Sequence, residues 1–459
     1  MVKRDSKRVK ILKEKARRRS VGEGIFWSAR NSFGDYYVAP FAIAINTSNS
    51  LVALLTSIAG ILGPLTQIFS SKLMEKYSRK EILLKVLFYE SLMWIPLIAI
   101  AILFYKGIFL GALPLTLLIS FSFYVIIRSV SVPSGFSWFG DLVDGKHRGR
   151  WFSKRNLLMG FVAVSLAIIA AFFLDYFTKR GWLMFGFMIL FFLAFASRIS
   201  SRRMFKKMYE PKLKLKKGDS FSFASFLINA KDKNFRNFAI FRFFLAFTTY
   251  IYWPFIAIYL LRYLEFNYIT YMVVILTGTV LSLLFLPLWG KFADKYGNCR
   301  IMYATTILIP IVPFLWILNP SPIYLVFVPS MLSGISWAGF GLAENNFIYD
   351  NVGQKKRGFA ISYYNMFWGA GVFLGAGLGA FLIKFLKVDF IEPLFLIFII
   401  GGISSMVVVS FWIGKIKEIR KTEKLKGTRA LSNMVLKEAG PTLIEEAREI
   451  ISIKKYLKE

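Results

Sequence analysis

Five ionisable side chains stand out inside apolar runs, and they are where this sequence could do chemistry. Arg30 and Asp35 share the stretch 22–45 with Asn31 and Ser32; Glu90 lies in 82–105, Arg128 in 108–136, and Glu344 with Asn345 at the end of 322–343. A charge at bilayer depth costs ~2.5–3.5 kcal/mol on insertion scales, so each is a functional candidate by default. Asp35 lies thirteen residues into its run, which places it close to the midplane as a candidate proton or cation site or a substrate contact. The alternative is a structural partner for Arg30, although a spacing of five puts the two on different helical faces. Arg128 is a candidate for an anionic substrate group or for pairing with Glu344 as an inner gate; the bland alternative is an arginine that snorkels. Tyr36, Tyr37, Tyr250, Tyr252 and Trp253 offer stacking surfaces, or serve as core and interfacial aromatics.

The elements that would position these residues are long and apolar. The chain has 459 residues, 56% of them hydrophobic, and a mean hydropathy of +0.54. Twelve segments approach or exceed the ~20 residues that cross a hydrocarbon core: 22–45, 51–70, 82–105, 108–136, 157–176, 182–198, 238–261, 268–289, 301–318, 322–343, 359–383 and 391–414. Lipid offers no partner for a bare backbone and the runs are too long for barrel strands, so they are read as helices. The expectation is an all-α polytopic membrane protein of twelve transmembrane helices.

The net charge of +33 follows the loops. Ten Lys or Arg lie in the first 20 residues, twelve between Arg198 and Arg236, and twelve after Gly414. The alternate connections hold only Lys106, Lys179, Arg180, Arg262, Lys384 and Lys387. This is the positive-inside pattern, which predicts both termini in the cytoplasm and basic faces that hold anionic lipid head groups. No aromatic-interleaved nucleic-acid module accompanies the charge. With Cys299 the only cysteine and His147 the only histidine, a disulfide, a metal cluster and a membrane-embedded histidine relay are excluded. No cofactor is expected.

A polar, basic linker, 199–237, leaves six segments on either side, and loops repeat across it. Asp141, Arg148, Gly149, Asn156 and Gly160 recur 209 residues later as Asp350, Arg357, Gly358, Asn365 and Gly369. The string GKFADKYGNCR, 290 to 300, is echoed at 71–78, with Glu75 in the place of Asp294 and Arg79 close behind. Pro40-Phe41 is matched by Pro254-Phe255. Parallel six-helix repeats of this kind are a transporter architecture. The expected organisation is a basic tail 1–20, a six-helix bundle 21–198, the linker 199–237, a second bundle 238–414, and a tail 415–459. That tail carries an amphipathic stripe at Leu443, Ala447, Ile450, Ile451 and Leu457. Gly371, Gly375 and Gly379 fall four apart, a stripe for close helix packing.

Twelve spans in two halves, with G-x-x-x-D-K-x-G after the eighth and a worn copy after the second, resemble the major facilitator superfamily. The resemblance covers about 20 to 415 and rests on Gly290, Asp294, Lys295, Gly297 and Arg300. It implies a central cavity lined mainly by spans 1, 4, 7 and 10, with alternating access by rocking of pseudo-symmetric halves. It also implies that Asp294 faces the start of span 5 near Arg148, and Glu75 the start of span 11 near Arg357, when the cytoplasmic side is shut. A helix N-terminus carries partial positive charge, so an acid is attracted to it. Asp141 and Asp350 would hold Arg79 or Arg300 within their own halves. Gly290 and Gly297 would keep the turn tight. Glu90 falls on a span the family places at the periphery, which favours a packing role.

The function expected is secondary transport of a small solute driven by a proton, with sodium as the alternative ion, by a protein acting as a monomer. A lipid flippase or multidrug exporter on the same fold is the second reading. A membrane-embedded enzyme is the third, and no P-loop, GxSxG or histidine pair supports it.

Overall fold

The computed structural model describes residues 2–143, 148–211, 233–351, 357–386, 391–412 and 414–419. Among them there are helices and no strands. In chain order these are α1 (Val2–Phe33), α2 (Val38–Ala44), α3 (Asn49–Ser71), α4 (Arg79–Leu92), α5 (Trp94–Tyr105) and α6 (Leu113–Leu142). There follow α7 (Arg148–Lys179), α8 (Leu183–Lys206), α9 (Lys233–Tyr252), α10 (Phe255–Ile258) and α11 (Tyr268–Tyr296). The last are α12 (Asn298–Leu308), α13 (Val312–Leu318), α14 (Pro322–Leu325), α15 (Met331–Asn351), α16 (Arg357–Phe385) and α17 (Pro393–Trp412). Among the described residues, eleven spans are long and apolar enough to cross a membrane, several of them built from two helices in line. The amphipathic stripe of the C-terminal tail lies outside the described residues.

The remaining expected span, 22–45, is not one helix. It runs to Phe33, turns through a 3-10 segment at Asp35–Tyr37 and resumes as α2. Gly34 explains the break: a Cβ there would overlap the Trp94 ring and the Arg30 carbonyl oxygen, so only glycine fits. The first twenty residues also depart from a loose tail, because α1 begins at Val2. Ala16 is buried in a cluster with Leu83, Leu87, Trp138, Leu142 and Phe205, so the basic helix is anchored on α4, α6 and α8.

The chain forms two compact units that do not follow chain order. The first is Met1–Asp219 with Tyr250–Val273 and Tyr364–Ile397; the second is Ser220–Thr249, Val274–Tyr363 and Phe398–Glu459. Hydrogen bonds explain why the later of these segments joins the first unit. Ser50 Oγ donates to the Ala380 carbonyl at 2.9 Å and Ser57 Oγ to that of Phe373 at 2.8 Å, tying α3 to α16. Small residues let the backbones meet there, as in other membrane helix pairs: Gly369 lies against Gly60, and Gly379 against the Ile251 carbonyl. In the second unit Gly278 of α11 meets Gly334 of α15 in the same manner.

Because the obstacle at Gly379 is backbone rather than a side chain that can turn away, Gly379→Val is expected to lower stability by ~1–3 kcal/mol. Thermal unfolding of the purified protein reads this directly.

Candidate functional site

A ladder of hydroxyls sets the frame. Ser28 and Ser32 on α1 and Tyr37 in the 3-10 turn donate to the carbonyls of Met159, Ala163 and Ala167 on α7, at 3.0, 2.8 and 2.7 Å. The acceptors are spaced four apart, one per helical turn, so α1 is held in fixed register along α7 with Arg30 turned the other way.

Around Arg30 the first unit contains a continuous chain of alternating charge. Arg128 on α6 pairs with Asp35 at 3.0 Å. Asp35 pairs with Arg30 at 2.5 Å. Arg30 lies 3.6 Å from Glu90 on α4, and Glu90 is 2.6 Å from Arg198 on α8. Arg198 approaches Glu23 at 4.0 Å, and Glu23 pairs with Arg155 of α7 at 2.9 Å. Tyr124 closes the centre: its hydroxyl donates to Asp35 and accepts from Arg30 at 2.7 Å. Four arginines and three acids alternate, leaving one positive charge in excess. Arg30 and Glu90 are fully buried, Asp35 is 18% exposed and Arg128 is 38% exposed. The chain is therefore sealed at its middle and open at Arg128.

The break at Gly34 makes this possible. On a continuous helix, residues five apart face different ways, and the expected separation of Arg30 from Asp35 followed from that. The 3-10 turn swings Asp35 back, and its carboxylate meets the guanidinium after all. Within the second unit, Glu344 accepts from Arg242 Nε at 2.7 Å. Arg242 also stands 5.6 and 5.3 Å from the ring centroids of Trp337 and Phe340. Asn345 donates to the Gly341 carbonyl of its own helix. Of the aromatics, Tyr36 is half-buried, Tyr252 is buried and Trp253 is 40% exposed.

The charged loops sit where α3, α6 and α11 end. Arg79, fully buried, bonds Asp141 at 2.7 Å, Ser137 at 3.0 Å, Glu210 at 3.3 Å and the Pro211 carbonyl at 2.6 Å. Asp350 accepts from Asn298 at 2.7 Å, and Arg300 donates to the Tyr296 carbonyl at 3.3 Å. Glu210 and Glu418 play matching parts: each caps a helix start, on the Arg79 amide of α4 and the Cys299 amide of α12, both at 2.9 Å. Asp294 and Lys295 are exposed on the last turn of α11. Gly297 has φ +92°, a conformation that glycine alone adopts readily. Gly290 differs from expectation, since it lies within α11 and a Cβ there would meet open space. Helices α7 and α16 start at Arg148 and Arg357; the side chains of Glu75, Arg148 and Arg357 lie outside the described residues.

The sequence reading missed Tyr124, Arg155, Arg198 and Glu23. Arg198 hid at the edge of a basic linker and Glu23 beside a basic tail, where a charge raises no question.

Comparison with known proteins bears out the fold. The model of the Major Facilitator Superfamily matches residues 238–457. A bacterial homologue of the iron transporter ferroportin, in its inward-facing state, superposes with a TM-score of 0.67 at 14% identity, covering 87% of this chain and 99% of that one. The family match lies in the second half of the chain, and the solved transporter shows its fold. The nucleoside transporter NupG is similar over 88% of this chain and 99% of its own, with a TM-score of 0.63 at 14% identity. A POT family transporter in complex with 5-aminolevulinic acid gives 0.64 at 15% identity, covering 87% and 97%. No curated protein matches in sequence. The eleven long apolar spans among the described residues suit a multi-pass membrane protein of this fold.

Breaking a buried ion pair by removing one partner costs ~3–5 kcal/mol, whereas replacing both with apolar groups of similar size is often neutral. Glu90→Gln is expected to destabilise the transporter by that amount, and Glu90→Leu with Arg198→Met to recover most of it, in thermal unfolding.

Proposed function

We propose that this transporter is a secondary carrier that moves a small anionic solute across the cytoplasmic membrane by alternating access, coupled to protons. The observation that carries the reading is Arg128. It sits in the middle of α6, 38% exposed, with Asp35 as its ion-pair partner. A guanidinium left on hydrocarbon is too costly at that depth, so its exposed side belongs to a water-filled path. A carboxylate or phosphate on the solute is matched to its planar fork.

Asp35 supplies the coupling. When the solute takes Arg128, Asp35 loses one of its cations, and a proton cancels the charge left behind. The solute and the proton are thus bound together and released together. Sodium is the alternative ion, and nothing in the site resembles an oxygen cage for it. The superfamily binds small molecules, and the neighbours include a structure holding 5-aminolevulinic acid, itself a carboxylate. At 15% identity that supports the fold and leaves the solute to the residues of this site.

The positive-inside charge places the termini, Arg79 and Asp294 on the cytoplasmic side. There the exposed Asp294 and the Glu75 loop serve as gating latches. The exposed faces of the basic helix α1, with Arg8, Lys10 and Arg18 outermost, contact anionic lipid head groups. One chain contains the whole path, so it works as a monomer.

The test is transport in proteoliposomes, with radiolabelled carboxylates and phosphate esters as probes and a pyranine-loaded lumen. A transported anion should carry protons with it. Asp35→Asn should lose uptake driven by a pH gradient while exchange of labelled for unlabelled solute continues. Gradient-driven uptake by Asp35→Asn at the wild-type rate contradicts the assignment.

A further inference from the structure

The helix ends farthest from the basic loops carry a second set of charges that the transport site does not use. Asp175, near the end of α7, is 7% exposed. Its two oxygens accept from the backbone amides of Tyr268 and Ile269 at 2.7 and 2.9 Å. Those are the first two residues of α11, so the carboxylate caps a helix start at which the amides have no intrahelical acceptor. A charge at that position is favoured by the helix dipole, and bonds from amides to a carboxylate are among the stronger hydrogen bonds.

Arg262 supplies the converse. It follows α10, and its guanidinium donates to the Asn49 side chain, to the Thr47 carbonyl at 2.8 Å and to the Ile43 carbonyl at 3.5 Å. Ile43 belongs to the last turn of α2, and Thr47 to the turn before α3. A cation therefore sits on the carbonyl end of one helix while an anion sits on the amide end of another. In one contact the acid comes from the first half of the chain and the helix from the second. In the other the cation comes from the second half and the carbonyls from the first. All these residues lie in one compact unit.

We infer that Asp175 and Arg262 form a reciprocal latch that holds the non-cytoplasmic side of the transporter shut. The inference rests on the alternating-access reading. Asp175 and Arg262 bond to backbone groups, so the latch recognises helix ends and not particular side chains. Both contacts join residues more than 90 positions apart, and neither survives a separation of the early helices from α10 and α11. The Ser50 and Ser57 bonds to α16 lie along the same seam but are uncharged. They add closeness of fit, whereas the two charged contacts set how firmly the side is closed. Asp175 and Arg262 are thus positioning residues: they touch no solute, and they bias which side of Arg128 is open.

The experiment measures electron spin distances in proteoliposomes. Spin labels go on the exposed positions Lys106 and Lys384, as Lys106→Cys and Lys384→Cys in a Cys299→Ser background. The parent is expected to show a dominant short and a minor long distance. Asp175→Ala and Arg262→Ala should each raise the ratio of long to short about tenfold, the effect expected of one charged cap in a partly buried setting. Asp175→Asn, which keeps one acceptor and loses the charge, should fall between. Elution as a single symmetrical peak establishes that each variant is folded. Two populations whose ratio is the same in the parent and in folded Ala variants overturn the latch and leave alternating access standing. One unchanging distance in every protein, at pH 5.5 and at pH 7.5, overturns both.

Discussion

Arg30 is the charge on which the rest of the first half depends. A guanidinium with no exposed surface needs acceptors around it, and here they come from three elements. Asp35 stands in the turn beyond its own helix, Tyr124 on α6, and Glu90 on α4; behind Glu90 comes Arg198 on α8. Each neighbour fixes one packing relation: the kink at Gly34, the approach of α6 to α1, and the seating of α4 between α1 and α8. The Trp94 ring fills the space opened at Gly34 and lies tilted against Tyr124, with centroids 4.9 Å apart. A hydrophobic core of equal volume would hold these helices together as well. What alternating charge adds is a defined register and a graded exposure, sealed at Glu90 and open at Arg128.

Much of this was legible in the sequence. Charges inside apolar runs marked Arg30, Asp35, Glu90 and Arg128 as residues with a task, and fixed-offset repeats marked the loops in which Arg79 meets Asp141. The rest was hidden for physical reasons. Helical periodicity assumes an unbroken helix, so it separated Arg30 from Asp35; only the fit of Gly34 against Trp94, from another helix, restores them to contact. Arg198 and Glu23 were obscured because they stand where apolar runs meet basic segments, and composition cannot tell a solvated charge from a buried one there. The pairing of Glu344 with Arg242 was equally unreadable, because spacing along one chain does not say which arginine packs among Trp337 and Phe340.

The molecule uses helix ends twice, with different partners. Near the basic loops, Glu210 and Glu418 cap helix starts within their own halves, and these bonds have no reason to break during transport. At the other end, Asp175 and Arg262 reach helix ends belonging to the opposite half. One set therefore stiffens each bundle, and the other makes the bundles adhere on one side.

The central claim is that Arg128 is the open end of the buried charge chain and receives an anion. Thermal stabilisation of the purified transporter tests it most directly, using paired probes that differ only in charge: carboxylates against their amides, and phosphate esters against the free alcohols. A ligand at 100 times its dissociation constant stabilises a protein by ~2.7 kcal/mol, which unfolding curves resolve. The account predicts stabilisation by at least one acid and not by its neutral partner, lost in Arg128→Ala and weakened in Arg128→Lys, which keeps the charge without the fork. Stabilisation by neutral probes alone, or by an acid equally in the wild type and Arg128→Ala, would contradict it.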